Sequence, residues 1–299
     1  MKSADLVQLL ISGIAMGSIY TLMGKGLLIT FLTTRALNFG QGDFLMIASF
    51  LSMTLLLAGV PVIVAVLIVV AALVVLGVGL ERLAIRPLAN MTAGSASSLA
   101  WILTTMGFGM LLQNTAQLVW GKSRFYSPPL FSAEQKKVVE LMGARFYLEE
   151  LIVALLAMVV VGVLYWFLFR ARWGKEVQAV SFDKSTASLL GIDVRRVVAT
   201  SYAIMAVLAA VSGILAGPLT TVQAHMGLLF ILKGFAVVCI GGFVNPVGIL
   251  IAGLGFGIVE AVSNYVNSAF GDLYPFLIAL LFLIARPSGL FGEMKTDVR

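Results

Sequence analysis

Three ionisable side chains stand inside long apolar runs: Lys25, Lys233 and Glu260. Placing such a group in hydrocarbon costs roughly 2.5–3.5 kcal/mol on insertion scales, so each is a candidate for a role on a solute pathway or for an ion pair between helices. Lys25 lies about seven residues from the end of its run, roughly 10 Å at helical rise, within partial reach of the interface. Lys233 and Glu260 read as interface groups or as partners across two helices. Other chemistry has little to work with. The one histidine, His225, follows a Gly217-Pro218 break, where a lone imidazole is more often structural than a ligand. The one cysteine, Cys239, rules out an intrachain disulfide and a Cys-based metal cluster. Gly121-Lys122-Ser123 ends like a phosphate-binding loop, but Ala116 stands where that loop needs glycine and no strand pattern precedes it. Neither H-E-x-x-H nor G-x-S-x-G occurs. The expectation is no catalytic residue, no metal site and no cofactor; if ATP drives this protein, another subunit binds it.

Polar breaks supply the remaining candidates. Thr33-Thr34-Arg35-Ala36-Leu37-Asn38-Phe39-Gly40-Gln41-Gly42-Asp43 separates the first two apolar runs. Irregular backbone at membrane depth is tolerated where it lines a cavity or is buried in protein. Asn38, Gln41, Gly42 and Asp43 are therefore candidates for a translocation path; the same residues also read as a surface turn with Asp43 as an N-cap. A second break, Gly241-Gly242-Phe243-Val244-Asn245-Pro246-Val247-Gly248, gives one interruption per half, the pattern of a path between two related halves. The connector 173–196 holds a helical pattern over 175–190, with Val177, Val180, Ala187 and Leu190 near one face and Gly191 as its stop. It reads as a helix that docks into a partner, or as a basic loop that only orients the chain.

These segments must be positioned by membrane helices. Of 299 residues, 60% are hydrophobic and 11% charged, with a mean hydropathy of +1.04. A soluble domain is about 25% charged, so the solvent of this chain is lipid. Spans of about 20 apolar residues are expected at 6–32, 43–58, 60–80, 97–119, 148–169, 197–217, 228–243, 247–266 and 273–285. Several are short enough to be broken or re-entrant. The reading is an all-α polytopic bundle of about eight or nine transmembrane segments, a single transmembrane domain over 1–299, with the first apolar run retained as a span. Gly13 and Gly17, Gly213 and Gly217, and Gly253 and Gly257 are each four apart, the small-xxx-small spacing of closely packed helices.

The net charge of +6 falls in loops beside apolar runs, where it orients the chain and meets anionic lipid rather than nucleic acid. Arg170, Arg172, Lys175, Lys184, Arg195 and Arg196 mark the connector 170–196 as cytoplasmic. Arg82 and Arg86, and the tail with Arg286, Lys295 and Arg299, belong on the same side. The loop 121–148, with Lys122, Arg124, Lys136, Lys137 and Arg145 beside Glu134, Glu140, Glu149 and Glu150, then faces outward against the charge rule.

Several motifs together resemble the permease subunits of Liv-type ATP-binding-cassette importers for branched-chain amino acids. They are Gly13-Ile14-Ala15-Met16-Gly17-Ser18-Ile19-Tyr20-Thr21-Leu22, Leu37-Asn38-Phe39-Gly40-Gln41-Gly42-Asp43, Glu81-Arg82-Leu83-Ala84-Ile85-Arg86-Pro87-Leu88, Ala187-Ser188-Leu189-Leu190-Gly191-Ile192, Gly241-Gly242 and Arg286-Pro287-Ser288-Gly289-Leu290-Phe291-Gly292. The resemblance implies an importer subunit of the bacterial inner membrane that works by alternating access. It also implies a homo- or heterodimer with a sister permease, two ATPase subunits and a periplasmic substrate-binding protein. By the same resemblance, Gln178, Ala179, Ala187 and Gly191 would belong to the segment coupled to the ATPase. Gln41 and Asp43 stand where the family has histidine and glutamate, Lys25 where it has an apolar residue, and Val177-Gln178-Ala179 where it has an arginine-alanine pair. Those departures bear on substrate more than on mechanism. The alternative from the residues alone is a self-sufficient, ion-coupled transporter using Lys25, Asp43 or Glu260 as a charge relay.

Overall fold

The structure, a computed structural model, describes residues 3–91, 97–130, 138–141, 144–243 and 245–291. Glu134, Lys136, Lys137, Val244, Gly292, Lys295 and Arg299 lie outside the described residues.

Each of the nine expected apolar segments contributes one helix: α1 (Ser3–Thr34), α2 (Gln41–Leu57), α3 (Val62–Leu80), then, after a π-helical turn (Glu81–Ile85) and short α4 (Arg86–Met91), α5 (Ser97–Trp120). There follow α6 (Leu148–Arg170), the connector helices α7 (Arg172–Phe182) and α8 (Lys184–Leu189), α9 (Val194–Ala216), α10 (Met226–Gly241), α11 (Pro246–Val266) and α12 (Leu273–Ala285). The valine-rich stretch of α3 would suit a strand in water. In lipid every backbone polar group must be paired within its own segment, so it is a helix. Among the described residues, five helices are long and apolar enough to cross a membrane, and α2, α10 and α12 are shorter apolar helices of 17, 16 and 13 residues. At 1.5 Å per residue these three reach only about 20–26 Å, less than the hydrocarbon thickness.

The bundle is built around α1, which packs along α9, α10 and α11, while α2 and α3 lie against α9. Small residues allow the close approaches. A Cβ on Gly17 would lie 2.5 Å from the carbonyl of Gly253, and one on Gly257 would strike Gly13. The two expected glycine pairs thus interlock across the α1–α11 seam. Gly213 is pressed against Leu45 and Ala48 of α2, where Ser49 Oγ also donates to the Gly213 carbonyl at 2.8 Å.

The two ends of the bundle differ. At one lie the last turn of α1, the connector, the start of α9, the π-helical turn and the α10–α11 turn, against which Ser288 and Phe291 pack. At the other lies the 121–148 loop, where β2 (Val138–Leu141) and β3 (Ala144–Tyr147) form a hairpin. There β1 (Phe125–Tyr126) pairs antiparallel with β4 (Thr221–Val222). The first turns of α1 lie at this second end, Ser12 Oγ donating to Glu150 at 2.7 Å.

Candidate functional site

The first break turns inward. After Thr34 the chain reverses at Arg35, the single non-glycine residue with positive φ (61°) among the described residues. Residues 36–40 then run back beside α1, so that Gln41 Nε2 donates to the carbonyl of Met23 at 2.9 Å. Met23 is eleven residues short of Thr34, the last of α1, or about 16 Å at the helical rise. Helix α2 therefore begins inside the bundle. So does α10, entered from residues 217–225 after α9, and the two starts meet. A Cβ on Gly227 would lie 2.6 Å from the carbonyl oxygen of Gly42, and one on Gly42 would strike the carbonyl of Gly227. Only glycine at both positions allows this contact. Gln41 N and Asp43 N donate to the carbonyls of Asn38 and Gly40, and Met226 N to that of Gln223, but each start still presents the positive end of a helix dipole, the element that broken transporter helices direct at anionic solute groups.

The side chains here are unusually polar for such depth. Asn38 is fully buried with neither amide atom hydrogen-bonded, and the Oε1 of buried Gln41 is also unpaired. Unsatisfied buried polar atoms cost about 1–3 kcal/mol each, a cost that a water or solute pairing there would remove. Asp43 Oδ1 accepts from Gln113 Nε2 of α5 at 2.8 Å, and its carboxylate occupies the space left by Gly109. One turn further along α5, Gln117 Nε2 lies 3.4 Å from Nε2 of His225, the N-cap of α10. Asn38, Gln41, Gly42 and Asp43 are thus brought together at one helix start. Gln113, Gln117 and Gly227 were not singled out by the sequence reading, although two glutamines four apart on an apolar helix carry a signal of one polar face. The second break expected at 241–248 is present as a tight turn between α10 and α11, with Gly242 at φ 94° and Asn245 capping α11 by accepting from Val247 N at 2.9 Å, but it does not meet the first break. The counterpart of the first break is residues 217–225.

Of the three intramembrane charges, two pair. Lys233 Nζ lies 2.9 Å from Glu260 Oε1 and 2.8 Å from Asp272 Oδ1, and Tyr20 Oη donates to Glu260 at 3.0 Å. Helices α1, α10, α11 and the start of α12 are joined by this cluster. Lys25 is 3% exposed and forms no hydrogen bond or ion pair among the described residues.

The connector is two helices rather than one over 175–190. Asp183 interrupts it with φ −154°, and its carboxylate caps α8 by accepting from Thr186 N at 2.6 Å. The hydroxyl of Ser185 and that amide hold the Asp183 carboxyl below the ordinary carboxylate range, while burial and then Arg35 push the Lys184 ammonium down. Gln178 donates to the Leu168 carbonyl at 2.8 Å and Ala187 is buried, so both face inward. Ala179 is half-buried. Gly191 sits at φ 83° with open space around its Cα, closing α8 through its own N–H to Ser188 and that of Ile192 to Ala187. The outward surface is instead Phe182, Leu189 and Leu190, which are 89%, 87% and 75% exposed. Arg35, at the head of the break, donates through Nη2 to the Ser181 carbonyl at 2.6 Å and so ties the connector to the inward-turning segment.

Comparison with known proteins converges on one group. The sequence profile of a family described as "Branched-chain amino acid transport system / permease component" matches residues 9–286. The high-affinity branched-chain amino acid transport system permease protein LivH of Escherichia coli K12 is 28% identical over 97% of both chains. The corresponding BraD of Pseudomonas aeruginosa is also 28% identical over 97% of both. A probable branched-chain amino acid transport permease protein LivH of Methanocaldococcus jannaschii is 29% identical over 92% of this chain and 89% of its own. Among solved structures, PsaBC of Streptococcus pneumoniae in complex with Fab superposes with a TM-score of 0.51 at 14% identity, covering 95% of this chain and 91% of that one. That likeness is one of fold.

Proposed function

We propose, on the premise that this chain belongs to the family of branched-chain amino acid transport permeases, that it is the membrane-spanning subunit of an ATP-binding-cassette importer. Its cargo is a branched-chain or related amino acid, carried by alternating access across the bacterial inner membrane. The observation that carries this reading is the meeting of α2 and α10 at Gly42 and Gly227 inside the bundle, beside the unpaired side-chain amide of Asn38. Two positive helix ends suit an amino acid's carboxylate, and the Asp43 carboxylate suits its ammonium. With the two backbones in contact the site is shut, so passage requires α2 and α10 to part.

The force for that movement comes from outside the chain. Two ATPase subunits dock on the connector at Phe182, Leu189 and Leu190, and Arg35 passes the connector's displacement to the segment leading into α2. A sister permease completes the pathway and a periplasmic binding protein delivers the cargo. The connector end is cytoplasmic in this reading, so the first turns of α1 face the periplasm. The chain itself makes and breaks no covalent bond.

Gentle solubilisation of the tagged chain from its native membrane, with co-purifying proteins identified by mass spectrometry, tests the assembly. A nucleotide-binding ATPase and a second permease, or a second copy of this chain, are expected. Recovery of the chain alone, still moving leucine in vesicles, contradicts the proposal.

A further inference from the structure

A cavity of about 290 Å³ opens at the connector end of the bundle, between the π-helical turn after α3 and the first turn of α9. Arg82, Arg86, Arg195 and Arg196 line it, with Glu81 and Asp193 as the carboxylates among its walls. Asp193 is already engaged: it caps α9 through the N–H groups of Arg195 and Arg196 and pairs with Arg196 Nε at 3.0 Å. Four guanidinium groups against two carboxylates leave the cavity cationic. Planar forks of N–H donors fit phosphate oxygens two at a time.

The surface leading to the cavity identifies the source of that phosphate. Val64, Ile68 and Val75 are exposed along α3, spaced by four and seven residues as on one face of a helix. Arg82 stands seven residues beyond Val75 and Arg86 four beyond that, so the same face passes from an open apolar stripe into the basic cavity. Leu83, beside Arg82, is 82% exposed. An apolar stripe ending in a cluster of arginines matches an amphipathic ligand with an acyl chain and an anionic head. We infer that this cavity binds the phosphate of an anionic phospholipid, held by Arg82, Arg86, Arg195 and Arg196, with an acyl chain along α3.

Occupancy there bridges α3 to α9, the helix that follows the connector directly, and so links membrane composition to the element that receives the ATPase's movement. The test uses the complex as purified in mild detergent. Dioleoyl phosphatidylglycerol or dioleoyl phosphatidylcholine is titrated in, with thermal unfolding and native mass spectrometry as readouts. Phosphatidylglycerol is expected to raise the unfolding temperature and to remain bound, whereas phosphatidylcholine does neither. R82Q/R86Q and, separately, R195Q/R196Q should weaken that binding by about tenfold or more. R82K/R86K should recover part of it, and R170Q/R172Q, outside the cavity, should leave it unchanged. Undiminished phosphatidylglycerol binding in both glutamine variants overturns the inference. So does equal protection by millimolar inorganic phosphate with no added effect of lipid, which makes the ligand a soluble anion. Loss of the co-purifying ATPase from R82Q/R86Q with lipid binding intact also overturns it, and makes the cavity a protein contact.

Discussion

Removing one carboxylate from the Lys233 cluster should separate its two ion pairs. The Glu260 side chain is 10% exposed, whereas the Asp272 side chain is 60% exposed. Breaking a buried pair by neutralising one partner costs about 3–5 kcal/mol, because the other charge is left buried; an exposed ion pair is worth about 0–1 kcal/mol. Thermal unfolding in detergent should therefore fall far more for Glu260→Gln than for Asp272→Asn, and equal losses would refute this ranking. At Gly42 the expected defect is of another kind. A valine there has no room while Gly227 stays in place, so Gly42→Val should hold α2 and α10 apart, abolish uptake and still insert into the membrane. Wild-type uptake by Gly42→Val would remove the contact from the mechanism. Residue chemistry was partly legible in advance. Asn38, Gln41, Gly42 and Asp43 stood out because polar groups and glycines interrupt an apolar run. Gln113 and Gly227 did not, because their meaning depends on which helix crosses them, and spacing along one strand of sequence carries no such information. The pairing of Lys233 with Glu260 was one of two readings the residue types left open, and only the crossing of α10 over α11 selects it.

Helix positions were legible for a firm physical reason: a bilayer demands apolar residues with self-contained backbone hydrogen bonds, and each of the nine apolar runs is a helix, three of them shorter than a full span. The interruptions were less legible. A single helix over 175–190 ignored Asp183, whose side chain can replace a backbone acceptor and start a new helix, as residues of its type do at N-caps. Its lowered carboxyl has a consequence with a definite sign. A carboxyl held below its unfolded value contributes stability that is complete above that value, about 3.9, and that is lost as pH falls through the lower folded value. Protection factors in α8, exchange rates divided by the pH-dependent intrinsic rate, should consequently be unchanged between pH 5 and 8, and lower in Asp183→Ala throughout that range. An α8 that loosens between pH 7 and 5 would contradict the cap. The outer face of the same pair of helices carries the coupling prediction. Phe182→Ser with Leu189→Ser should cut ATP-driven uptake by an order of magnitude or more while the permease remains in the membrane, since a few buried anchors dominate such interfaces. Arg35→Ala should differ from it by preserving ATPase binding and hydrolysis but losing uptake, because it severs the link to the Ser181 carbonyl rather than the docking surface. Uptake that survives intact in Arg35→Ala would mean that the connector moves the path by another route.

At the scale of the molecule, the two halves share one plan: a long helix, an inward break, a shortened helix and a further long helix. In the first half these are α1, residues 35–40, α2 and α3; in the second they are α9, residues 217–225, α10 and α11. The shortened helices are exchanged, α2 lying against α9 and α10 against α1, so that their starts meet near the middle. In the proposed mechanism, movement of one half against the other would open or close that meeting point. An interruption in the second half was legible at 241–248, where α10 gives way to α11, but the one that meets the first break, residues 217–225, was not. Residues 217–225 were identifiable only by what they deliver, the N-terminus of α10, to Gly42. In the proposed function this movement is driven by ATP on partner subunits. Its most direct test is uptake of labelled leucine into proteoliposomes holding this chain together with its co-purifying subunits and binding protein. Uptake is expected to require ATP on the connector side, to resist an uncoupler and to vanish when the chain is reconstituted alone; uncoupler-sensitive uptake by the chain alone would instead make it a self-sufficient, ion-coupled transporter.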